Sequence, residues 1–143
     1  MLESLYEELI LDHNRNPRNF QKEVGHTHDA VGYNPLCGDD VRIYMLIEDG
    51  IVKDAGFDGV GCAISTASAS MLIESVIGKT VDEVTELFGE VHSMLTKGSK
   101  PDLGKLNSLA GASKYPGRVK CATLAWHTLQ AALNNTSDPV TTE

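Results

Sequence analysis

No run of roughly 18 apolar residues occurs anywhere in this chain, so no membrane-spanning helix is expected. Basic residues are scarce. The 12 Lys and Arg stand against 20 Asp and Glu, a formal net charge of −8. A chain this acidic repels phosphate backbones, which argues against nucleic acid as a partner. Met1 to Asp12 holds four acidic residues and no basic one. A secretory leader needs the reverse, so the expected location is the cytoplasm. No P-loop type of phosphate-binding sequence is present, since Gly59-Val60-Gly61 is too short a signal. Internal repeats are absent. Cysteine is sparse as well, with three residues far apart at 37, 62 and 121. An odd count in a reducing compartment disfavours disulfides. That leaves metal binding, thiol chemistry, or plain burial as small hydrophobes.

What is there suffices for one globular domain. The chain has 143 residues, 41% of them hydrophobic, enough for a single core. Leu2, Leu5, Tyr6, Leu9 and Ile10 form one helical stripe, predicting a helix over 2–14 that stops before Pro17. Residues 29–33 read as a weak strand. Val41, Ile43, Met45 and Ile47 alternate with Arg42, Tyr44, Leu46 and Glu48, predicting a strand over 41–48. Asp49-Gly50 is a hairpin signal, followed by a return strand to about Val60. Gly56, Gly59 and Gly61 predict a bulge or a close backbone approach near its end. Helices are expected over 63–77, ended by Gly78, and from Val81 to about Leu95 behind a Thr80–Glu83 capping box. Residues 97–117 read as two loops around a short helix at Leu103, Leu106 and Leu109. A last helix is expected over 121–133, with Trp126 in or beside the core. Helix, strands, then helices is an α+β order. The expectation is a small antiparallel sheet of about three strands against four to six helices. The domain spans 1–133 and a polar tail covers 134–143.

On this map Cys37 falls in a loop, Asn34-Pro35-Leu36-Cys37-Gly38-Asp39. Cys62 and Cys121 each precede a predicted helix. Free N–H groups at a helix start favour a thiolate, the species that binds metal or attacks sulfur. Asp39 is two residues from Cys37, so in extended chain both face one side. Three thiolates and a carboxylate form a set that tetrahedral zinc accepts. They would leave a charge of about −2, which Arg118 and Lys120 could offset. The bland alternatives stay open: Asp39 as a turn residue bonding its own backbone, and Arg118 and Lys120 as solvated loop charge. Asp40 competes with Asp39 but should point away by alternation. His26 and His28 at i, i+2 suit surface positions better than a metal site. His127 lies six positions after Cys121, on another face of a helix. His13 and His92 read as ordinary helix residues.

The segments NPLCGD (34–39), GVGCAISTASASM (59–71) and RVKCATLAW (118–126), with DHNRNPRN (12–19), resemble the U-type iron–sulfur assembly proteins. The resemblance covers nearly the whole chain to about Leu133. IscU-type members carry a His just before the third cysteine, where Lys120 stands here. SufU-type members lack it and have a longer stretch between the last two cysteines, 58 residues in this chain. The chain therefore resembles the SufU branch. The resemblance implies one zinc ion (Zn2+) per chain, held by Cys37, Asp39, Cys62 and Cys121. It implies a sulfurtransferase that takes persulfide sulfur from a SufS-type cysteine desulfurase and passes it toward a SufBCD-type assembly complex. Cys37, on a loop beside glycine, would accept the sulfur. Arg118, three residues before the last cysteine, would steer the partner or steady the site. The pyridoxal phosphate belongs to the desulfurase. The alternative implied is a scaffold on which iron or a [2Fe–2S] cluster is held by the same cysteines. A purely structural zinc domain is a third reading.

Overall fold

The computed structural model describes residues 2–20, 27–34, 38–97, 103, 106–110, 116–134 and 140–141. Their order is α1 (Leu2–Arg15), β1 (His28–Asn34), β2 (Asp39–Glu48), β3 (Ile51–Val60), α2 (Ala63–Val76), α3 (Val81–Lys97), α4 (Pro116–Leu133) and β4 (Val140–Thr141). The sheet order is β3-β2-β1-β4. The first three of these pair antiparallel, and β4 lies parallel to β1 along Gly32 and Tyr33. This is the expected α+β arrangement. The last ten residues, read as a polar tail, supply β4 at the sheet edge.

One face of the sheet carries α2 and α4, with α1 against α2 and α3 against α4. Period-two alternation decides which residues meet those helices. Along β2, Asp39, Val41, Ile43 and Met45 are buried, while Asp40 and Arg42 are exposed. Asp39 therefore shares the inward face with the apolar core. Asp49 and Gly50 turn the hairpin with φ of 54° and 73°, as a primed turn requires. At the far end Gly59 adopts φ 136°, and a Cβ there would run into the Asp40 carbonyl. The close approach read from the glycines is thus real. Gly59→Ala is expected to destabilise the fold by about 2 kcal/mol or more, measured as a lowered urea midpoint.

The capping box forms as read. The Thr80 N–H donates to Glu83 Oε1 at 3.0 Å, and the Glu83 N–H donates to Thr80 Oγ1 at 3.1 Å. Residues 106–110 form a short 3₁₀ turn with Leu106 and Leu109 buried. Two expectations need correction. The last helix begins at Pro116 rather than Cys121. Proline suits a first helical position, where its missing N–H would have no partner anyway. His13 lies in α1 as expected but is more than an ordinary helix residue. It is fully buried, with Nδ1 at 2.7 Å from Ser70 Oγ, and so ties α1 to α2.

His92 of α3 and His127 of α4 meet edge-on with ring centroids 5.4 Å apart, and both contact the Phe88 ring. Burial, then the neighbouring His92, push the His127 imidazole below its ordinary 6.5. As pH falls, the unfolded chain therefore takes up this proton before the folded one. The stability is fully present above about pH 6.5 and is lost as pH falls through the depressed folded value. His127→Phe is expected to flatten that acid loss, read as urea midpoints at about pH 7.5 and about pH 5.5.

Candidate metal centre

Three chain segments converge at one end of the sheet. Asp39, the first residue of β2, is 1% exposed and turned toward the helices. Its Oδ1 accepts the Cys62 backbone N–H at 2.8 Å. Its Oδ2 is buried and has no hydrogen-bond partner among the described residues. Leaving a buried carboxylate oxygen unpaired costs on the order of 1–3 kcal/mol or more. A cation at that oxygen would remove the cost.

Cys62 is the N-cap of α2, with extended φ and ψ of −71° and 171°. Its Sγ accepts the Ser65 N–H at 3.4 Å, which holds the sulfur over the first turn of α2. Cys121 is fully buried and is the sixth residue of α4. The expectation that it sits at a helix start fails, because α4 begins a turn earlier. The helix face, not the helix end, places its sulfur. The donor atoms of Asp39, Cys62 and Cys121 all lie within 4.8 Å of one another. Thiolates at about 2.3 Å from a tetrahedral ion stand roughly 3.8 Å apart, so the three fit one cation with little closure. Cys62 is half-buried and follows exposed Val60 and Gly61, so the centre opens to solvent on that side.

Asp39, Cys62 and Cys121 are thus brought together as read from the sequence. Cys37 lies outside the described residues, as do Pro35 and Leu36. Arg118 stands in the first turn of α4, where only its backbone is described. Asp40 is exposed on the opposite face of β2, which removes it as a competitor for Asp39. His28 Nδ1 lies 2.7 Å from Thr27 Oγ1, and His26 lies outside the described residues. His127 faces α3, away from Cys121. Sequence reasoning missed Ser65, whose N–H caps the Cys62 sulfur. Cysteine is not among the residues that mark a helix N-cap, so the pairing carries no sequence signal.

The NifU-like N terminal domain family matches residues 5–137. This chain belongs to the U-type iron–sulfur cluster assembly family. Its relatives bear two kinds of name. The iron-sulfur cluster assembly scaffold protein IscU of Thermotoga maritima is 43% identical over 142 residues, covering 94% of this chain and 96% of that protein. The zinc-dependent sulfurtransferase SufU of Bacillus subtilis is 39% identical over 135 residues, covering 90% and 89%. A crystal structure from Fervidobacterium islandicum, provisionally assigned as a scaffold protein for the SUF system, superposes with a TM-score of 0.83 at 36% identity. It covers 92% of this chain and 98% of that one. Both kinds of relative stand at similar distance, so identity alone does not choose between the two roles. In this U-type chain no helix among the described residues is long and apolar enough to cross a membrane.

Proposed function

We propose that this chain is a zinc-dependent sulfurtransferase of the SufU kind. It accepts persulfide sulfur from a SufS-type cysteine desulfurase and delivers it to SufBCD-type cluster assembly. The observation that carries the reading is the convergence of Asp39, Cys62 and Cys121 within 4.8 Å, with the buried Asp39 Oδ2 unpaired among the described residues. Cys37 completes the ligand set. Only Gly38 separates it from Asp39 in the sequence. Zinc, when bound, keeps the thiols deprotonated at neutral pH.

The chain's own residues perform the transfer. Asp39 Oδ1 holds the Cys62 backbone, and the Ser65 N–H holds the Cys62 sulfur. The Cys37 thiolate attacks the outer sulfur of the partner's persulfide. A new S–S bond forms at Cys37, the partner's S–S bond breaks, and the partner's cysteine leaves as thiolate. Arg118, early in α4, supplies positive charge to an acidic chain and steers the partner. Lys120 stands directly before Cys121, where IscU-type members carry a His, which favours transfer over scaffolding.

The decisive experiment has two parts. Protein purified without added metal is analysed for zinc and iron. The turnover of a SufS-type desulfurase is then measured with and without it. One zinc per chain and accelerated turnover are expected, and unaltered turnover would favour a structural zinc domain. The second reading, a [2Fe–2S] scaffold, is favoured by the identity to the Thermotoga maritima protein. A cluster that forms anaerobically, persists and transfers to an apo acceptor would put that reading first.

A further inference from the structure

The two described thiols of the centre sit on different helices, and one buried hydroxyl joins those helices beside them. Ser68 lies in α2, whose N-cap is Cys62. Its Oγ donates to the Ala122 carbonyl at 2.6 Å and accepts the Trp126 indole N–H at 3.1 Å. Ser68 and Ala122 are fully buried, and Trp126 is 1% exposed. Ala122 directly follows Cys121. The hydroxyl's single donor is used, and so is one of its acceptor sites, which fixes its orientation. Water does not compete for a bond at this depth, so its directional preference is felt in full.

The path from one sulfur to the other is therefore short and stiff. It runs from Cys62 along under two turns of α2 to Ser68, across the 2.6 Å bond to Ala122, and back one residue to Cys121. Apolar packing is non-directional and fixes the offset of facing helices less sharply than a buried hydrogen bond does. Metal–ligand distances tolerate only about 0.2 Å. Resting on the reading that Cys62 and Cys121 share one ligand, we infer that Ser68 is a positioning residue for the centre. It fixes the separation of the two sulfurs. It touches neither sulfur and acts through the carbonyl next to Cys121.

Ser68→Ala is the test. The change deletes one oxygen and raises helix propensity, at the cost of leaving buried groups unpaired, and circular dichroism checks that the helices persist. Zinc affinity, by competition with a chromophoric chelator, is expected to fall about tenfold. The ligand-field and sulfur charge-transfer bands of the cobalt-loaded protein are expected to shift. Trp126→Phe keeps the Ser68–Ala122 bond and is expected to stay within about twofold of the parent. A metal-free arm reads the same spacing. In a Cys37→Ser background, phenylarsine oxide bridges the two remaining thiols and releases water. Ser68→Ala is expected to weaken that bridging about tenfold. Parental zinc affinity, unshifted cobalt bands and unchanged arsenical bridging in Ser68→Ala would overturn the assignment. So would an equal loss in Trp126→Phe, which would assign the effect to general packing. If the parent binds neither zinc nor cobalt, the metal reading fails, and the arsenical arm still decides the role of Ser68.

Discussion

Cys121→Ser is expected to lower zinc affinity on the order of a thousandfold, about 4 kcal/mol. Cys121 is fully buried, so neither water nor another side chain takes the place of its sulfur. A serine hydroxyl stays protonated at neutral pH and binds zinc poorly. Cys62 is only half-buried and lies beside exposed Gly61, so a ligand lost there is more readily replaced by water. The order of effect is therefore Cys121 above Cys62. Chelator competition measures it, with circular dichroism to confirm that the helices persist. A loss below about tenfold would remove Cys121 from the ligand set.

Cys37→Ala is expected to abolish sulfur uptake, a loss of at least about a hundredfold, the scale on which a missing nucleophile is felt. Of the three thiols, two are held in place or hidden. Cys121 is out of reach of any docked protein. Cys62 is the N-cap of α2, with its sulfur on the Ser65 N–H and its backbone on Asp39. Cys37 adjoins Gly38, which is exposed at φ 71° and where an added Cβ would meet nothing within 4 Å. Labelled sulfur delivered from cysteine by a purified desulfurase gives the readout, with intact mass reporting one added sulfur. Full labelling of the variant would move the acceptor role to Cys62.

Much of this architecture is legible in the residue order. The alternation Val41, Ile43, Met45, Ile47 reads directly as a half-buried strand, and Asp49-Gly50 as its turn, because both signals are local. Thr80 and Glu83 mark a helix start for the same reason, and the two reciprocal bonds follow. The extension of β2 back to Asp39 is not legible. A carboxylate at an inward position breaks the apolar pattern, so the strand reads as beginning at Val41. The start of α4 is hidden too, since Pro116-Gly117 resembles loop chemistry when nothing shows what packs against it. The burial of His13 depends on Ser70, far along the chain, and no periodicity reports such a pair. The centre was readable because cysteine is scarce and its contexts are distinctive. The orphaned Oδ2 of Asp39 was not, because it follows from how two helices close over the end of a sheet.

The donors come from a strand, a helix tip and the interior of another helix, and 58 residues lie between the last two. A cation gripped by all three is a cross-link, comparable to a disulfide in the long loops it closes. Its loss would slacken the sheet against both helices at once. Binding and release of such a cation would thus change how tightly the strand and the two helices are held to one another.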